Sequence, residues 1–143
     1  MRPLIRRSLL VAAAVAGLVF TAGTASATMI ANPVAVFAGL DKITGRIITF
    51  DVYIDETVQF GALQITPRVC YTRPPNETQR TSSFIEVDQV TLRATVRRIF
   101  TGWMFAESPA LNAIDHAVYD IWLVNCKTSS DVPPPDQRDV SSR

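Results

Sequence analysis

Ile48, Phe50, Val52 and Ile54 alternate with Thr49 and Asp51 along the stretch GRIITFDVYI, residues 45–54. Side chains of an extended backbone point to opposite faces with a period of two, so this pattern buries one face and wets the other only as a strand. β-branched and aromatic residues, which fit a half-buried pleated surface, dominate it. Asp55-Glu56-Thr57 interrupts the pattern as a turn, and FGALQITPRVCYT (60–72) resumes it through Leu63, Ile65, Val69 and Tyr71. Pro67 cannot donate to a sheet ladder, which places this second strand at an edge or breaks it with a bulge. Phe84–Leu92 and Val96–Phe105 read as two further strands about Arg93-Ala94-Thr95, a connector without the Gly or Asn that favours a tight hairpin. Val118–Cys126 is a last strand, and Glu107–Ala113 is a turn or single helical turn, with Ser108 as N-cap and Pro109 behind it. With no long 3.6-period helix, the expected fold is mostly β: a small antiparallel β-sandwich or barrel with one short helical turn.

The first 27 residues are set apart from that fold. Arg2, Arg6 and Arg7 form a basic start, Leu9 to Phe20 is apolar, and Ala25-Ser26-Ala27 offers small residues to a signal peptidase. This is the pattern of a secretory signal peptide, with cleavage expected between Ala27 and Thr28. The apolar run is short against the roughly 20 residues a membrane-crossing helix needs, so an anchor is the weaker alternative. The Arg6-Arg7 pair leaves the general and the twin-arginine export routes open. Export places the product in the periplasm or outside the cell.

Taking the three leader arginines from the 14 basic residues leaves 11 against 13 acidic ones. A chain so balanced carries no footprint for nucleic acid. Residues 28–127 suit a single domain. After Lys127 the chain reads TSSDVPPPDQRDVSSR, which lacks the apolar content for a core and is expected as a disordered tail over residues 128–143.

In an oxidising compartment the two cysteines, Cys70 and Cys126, read as one disulfide, with two free thiols as the alternative. Closing so long a loop stabilises by about 4 kcal/mol in the chain-entropy view. The chain has no phosphate-binding glycine loop, nucleophile elbow or zinc-protease motif. No catalytic residue, metal ligand or cofactor is therefore assigned. His116, the single histidine, lies near Asp115 and Asp120, and Glu86 shares a strand face with Asp88. Neither group comes with a partner at catalytic spacing. Residues 97–105, RRIFTGWMF, are apolar on both faces of a regular strand: Ile99, Trp103 and Phe105 on one, Phe100 and Met104 on the other. Something must cover the second face, either the domain's own core or a partner. Trp, Phe and Arg are common in interface cores, which makes Arg97, Arg98, Trp103 and Phe105 the candidate partner surface.

Four blocks, VFAGLDKITGRI (36–47), ITPRVCYTRPP (65–75), RRIFTGWMFAESPALNA (97–113) and HAVYDIWLVNC (116–126), resemble a family of small exported proteins of Gram-negative bacteria, domain of unknown function 2155. The resemblance spans about residues 34–127, with both cysteines at the family's usual places. Ala117 stands where many members have proline after the histidine. The resemblance implies export and a shared scaffold, and brings no substrate, cofactor or catalytic residue. The leading expectation is a periplasmic, non-enzymatic binding or accessory module that docks on an envelope protein. A small envelope hydrolase or carbohydrate-active enzyme and a purely structural envelope protein are the alternatives. Partner and oligomeric state are not legible in the chain.

Overall fold

A computed structural model describes residues 26–135. Most of the expected leader, and the expected tail from residue 136 on, lie outside the described residues. Eight strands follow one another: β1 (Ile30–Ala31), β2 (Val34–Asp41), β3 (Arg46–Tyr53), β4 (Val58–Phe60), β5 (Leu63–Thr72), β6 (Ser82–Val90), β7 (Val96–Phe105) and β8 (Tyr119–Lys127). They form two antiparallel sheets. One runs β1-β5-β6-β7, with β4 also on β5; the other runs β3-β2-β8. The sheets face each other as an open sandwich, so of the two expected forms the closed barrel is not made. Residues 107–113 fold as hydrogen-bonded turns, such as Leu111 N–H to the Ser108 carbonyl at 3.0 Å, and not as the expected helical turn.

The core lies between the sheets. Ile65 and Cys70 from β5, Ile85 and Val87 from β6, and Met104 from β7 meet Ala35 and Phe37 from β2, Val52 from β3, and Ile121 and Leu123 from β8. Ile48, Phe50 and Val52 of β3 point inward, as their alternation requires, while the residues between face solvent or the sheet surface. Cys70 and Cys126 are bonded to each other, with Cα atoms 5.9 Å apart, and tie β5 of one sheet to β8 of the other.

β2 is the strand that alternation does not reveal. It is the central strand of its sheet, and Val34 to Gly39 are buried on both faces. On the outward face, Lys127 of β8 reaches across β2 to Asp51 of β3 at 3.1 Å, above Val36, the residue paired with Asp51. Ser130 donates to the same carboxylate at 2.6 Å, and the Tyr53 hydroxyl donates to the Val132 carbonyl at 2.6 Å. The residues that follow β8, expected to begin the disordered tail, thus lie along β3 as far as Val132.

The irregularities of the larger sheet decide which side chains face outward. At Pro67 the pairing of β5 with β6 slips by one residue, so that Pro67 opposes Ile85 and Val69 opposes Phe84. Pro67, with no N–H to give, stands where the ladder is interrupted, and its carbonyl accepts from the Asp55 N–H at 2.8 Å. A second bulge lies in β7. Phe100 opposes Val87 and Arg98 opposes Asp88, which leaves Ile99 as the extra residue. The hairpin between β6 and β7 forms without Gly or Asn because Ala94 takes φ +59°, held by Thr91 and Thr95, whose backbone and hydroxyl groups bond each other across the turn.

Candidate functional site: the aromatic face of the larger sheet

On β6, Ser83, Ile85 and Val87 are buried, so Phe84, Glu86 and Asp88 stand on the outward face. Their neighbours on β7 follow from the register: Phe84 opposes Trp103, and Ser82 opposes Phe105. On β5 the Pro67 slip brings Val69 and Tyr71 outward beside them. The outcome is an aromatic cluster on the outer surface. Trp103 stacks on Tyr71 with ring centroids 6.2 Å apart and meets Phe84 edge-on at 5.5 Å. These are the offset and T-shaped arrangements that a ring quadrupole favours. Trp103 keeps 39% of its surface exposed. Beyond it, at the open end of the sheet, Tyr71 and Phe105 line a cleft of about 600 Å³ together with Met29, Arg80, Glu107 and Leu111.

The bulge at Ile99 corrects the face assignment drawn from a regular strand. Ile99 packs on the core together with Phe100, while Trp103 stands outward. The β7 stretch therefore divides its apolar residues between two jobs. Ile99, Phe100 and Met104 serve the core, and Trp103 is left at the surface.

The other half of the outward face is ionic. Arg68, the residue squeezed out at the Pro67 bulge, bonds Glu86 at 2.7 Å and Asp55 at 3.0 Å. Arg98 bonds Glu86 at 3.2 Å and also holds Asp88. Hydrogen bonding from Arg68, reinforced by the charges of Arg68 and Arg98, holds the Glu86 carboxyl below the usual carboxylate range. Glu86 is thus fixed as an anion between two guanidinium groups, the opposite of what a general acid requires. Arg97 and Arg98 do not act together: Arg98 is spent on the two carboxylates, and Arg97 lies exposed with a 3.3 Å bond to the Gln89 side chain.

His116 has a structural task. Its Nδ1 accepts the backbone N–H groups of Val118 and Tyr119, each at 3.1 Å, and its ring stacks on Tyr119 at 5.4 Å. It borders a groove at the opposite end of the sandwich, whose lining residues include no carboxylate. Among the described residues no three His, Cys, Asp or Glu side chains gather as a metal site, and no helix is long and apolar enough to cross a membrane. The aromatic pairing of Tyr71 and Phe84 with Trp103 was not legible in the sequence, because two bulges set which residues share that face.

Fold and surface together define a small two-sheet β-sandwich, linked between its sheets by a disulfide, with an aromatic cluster outside its core. A family model matches residues 35–126, well over half of the chain, and the protein belongs to that family, described as an uncharacterized protein conserved in bacteria (DUF2155). No curated protein and no solved structure matches the chain.

Proposed function

We propose that this protein is an exported, non-enzymatic binding or accessory module of the bacterial envelope, and that it docks an envelope protein on the aromatic face of its larger sheet. The observation that carries this reading is Trp103, stacked on Tyr71 and Phe84 outside the core and still 39% exposed. Tryptophan and tyrosine supply large contact area at small entropic cost and dominate the hot spots of protein interfaces. The neighbouring Arg68–Glu86–Arg98–Asp88 network offers a polar rim of alternating charge, which sets orientation and partner choice more than affinity. The leader pattern and the disulfide both suit an oxidising compartment. The engagement of Glu86, Asp88 and His116 in structural bonds supports binding over catalysis.

The test is recovery of the exported protein from its native envelope after mild cross-linking. Its mass should place the N-terminus at Thr28. One envelope protein should be recovered reproducibly, and Trp103→Ala with Phe105→Ala should lower that recovery at least about tenfold. Equal recovery with the double variant would refute docking on this face. An intact Met1 in the envelope-extracted protein would refute processing at Ala27.

A further inference from the structure

At the end of the sandwich away from Trp103, two hairpin tips repeat one chemical pattern. The β2–β3 turn carries Lys42-Ile43 and Arg46-Ile47, and the β6–β7 turn carries Leu92-Arg93 and Val96-Arg97. Ile43, Ile47, Leu92 and Val96 are among the large apolar side chains the surface leaves exposed; Ile43 is 78% exposed and Leu92 fully so. Each is adjacent in sequence to a cation. The two tips share one end, since Ile43, Leu92 and Arg93 border a single groove of about 700 Å³ with His116 and Tyr119.

The cations are not spent inside the molecule. Among the described residues none of Lys42, Arg46, Arg93 and Arg97 forms a salt bridge, whereas Arg68, Arg73, Arg98 and Lys127 all do. The Lys42 ammonium bonds the His116 carbonyl at 2.8 Å, and the Arg97 guanidinium bonds the neutral Gln89 amide. Of the nearby carboxylates, Asp41 is turned onto the N–H groups of Ile43 and Thr44, at 2.9 and 3.3 Å, and Asp120 accepts from the Ile121 N–H. Asp115 is exposed on the approach to β8. Each tip is also closed by a backbone hydrogen bond across its turn. Gly45 N–H bonds the Asp41 carbonyl at 2.8 Å, and Thr91 N–H bonds the Thr95 carbonyl at 2.9 Å.

An isolated exposed leucine is unremarkable in a soluble domain. Two hydrogen-bonded tips at one end, each presenting two aliphatic side chains beside cations that form no salt bridge, match an interface with apolar depth and negative surface charge. Aliphatic groups enter the boundary between headgroups and acyl chains, and Lys and Arg are drawn to anionic headgroups. We infer that this end of the protein is a docking surface for a bilayer rich in anionic phospholipid. The contact holds the molecule at the membrane surface without a spanning segment and leaves the aromatic face, at the far end of β7, open. The inference stands independently of the partner proposed for Trp103.

The test is amide hydrogen exchange on the protein as exported, with and without vesicles. This reads the two tips locally, whatever the N-terminus contributes to vesicle binding. Vesicles of phosphatidylcholine with phosphatidylglycerol should slow exchange in residues 42–47 and 91–97 and leave Trp103 and its neighbours unchanged. Pure phosphatidylcholine vesicles should not do so, nor should anionic ones at about 1 M salt, where screening falls to about 3 Å. Ile43→Ser with Leu92→Ser changes two exposed side chains, so the variant should keep its melting temperature and lose the protection. Tips that exchange equally with and without anionic vesicles would overturn the inference. So would protection retained in the double variant, or a dimer through this end that the variant abolishes while vesicles have no effect.

Discussion

Gly61 shows how tightly single residues are bound into this small sandwich. Its φ is +57°, and a Cβ there would fall on the Tyr119 ring, which in turn meets Phe60 in a T-shaped contact at 5.6 Å. Gly61→Ala meets both a left-handed backbone and a filled space. It should therefore lower stability by about 1–3 kcal/mol, measured by urea unfolding. Glu86 gives a test with a sign. Its folded pKa lies below the ordinary value of 4.5, held down first by the Arg68 hydrogen bond. A carboxyl depressed on folding stabilises the native state at pH values above its unfolded pKa, and that contribution is lost as the pH falls through the folded pKa. The wild type should therefore lose stability on acidification below about pH 4.5. Glu86→Gln should be less stable at pH 7 and show a shallower acid loss, as read from melting temperature against pH.

At the scale of elements, the two bulges carry most of the information about the surface. Ile99 is the extra residue of β7 and packs on the core, so Ile99→Ala and Phe100→Ala should both destabilise, each by roughly 1–3 kcal/mol in denaturant melts. Two opposed faces would have made only one of them costly. Alternation in residues 45–54 made β3 and its inward face readable, because that strand is wet on one side. β2 escaped the same reading because Val34 to Gly39 are buried on both faces and carry no alternation to detect. The Pro67 interruption was legible from proline chemistry alone. The bulge at Ile99 had no such marker, since neither a proline nor a turn residue announces it. For that reason Trp103 was readable as an anomaly, while its stacking on Tyr71 was not.

The molecule as a whole rests on few covalent and many packing constraints. The Cys70–Cys126 bond joins the two sheets where β5 and β8 face each other, so it resists their separation as well as shortening the unfolded chain's freedom. Cys70→Ser should cost about 2–5 kcal/mol, with a matching fall in melting temperature, as for other small disulfide-bonded domains. The functional account depends on the division between core and surface within β7. Its most direct test is urea unfolding of Trp103→Ala beside Ile85→Ala, a fully buried residue opposite Gly102. Trp103→Ala should cost about 0.5–1.5 kcal/mol for each ring pair lost, beyond the area the indole covers, and leave a cooperatively folded protein. Ile85→Ala should cost about 2–5 kcal/mol. A loss for Trp103→Ala equal to that of Ile85→Ala, with the domain unfolded at physiological temperature, would make Trp103 a core residue and contradict the account.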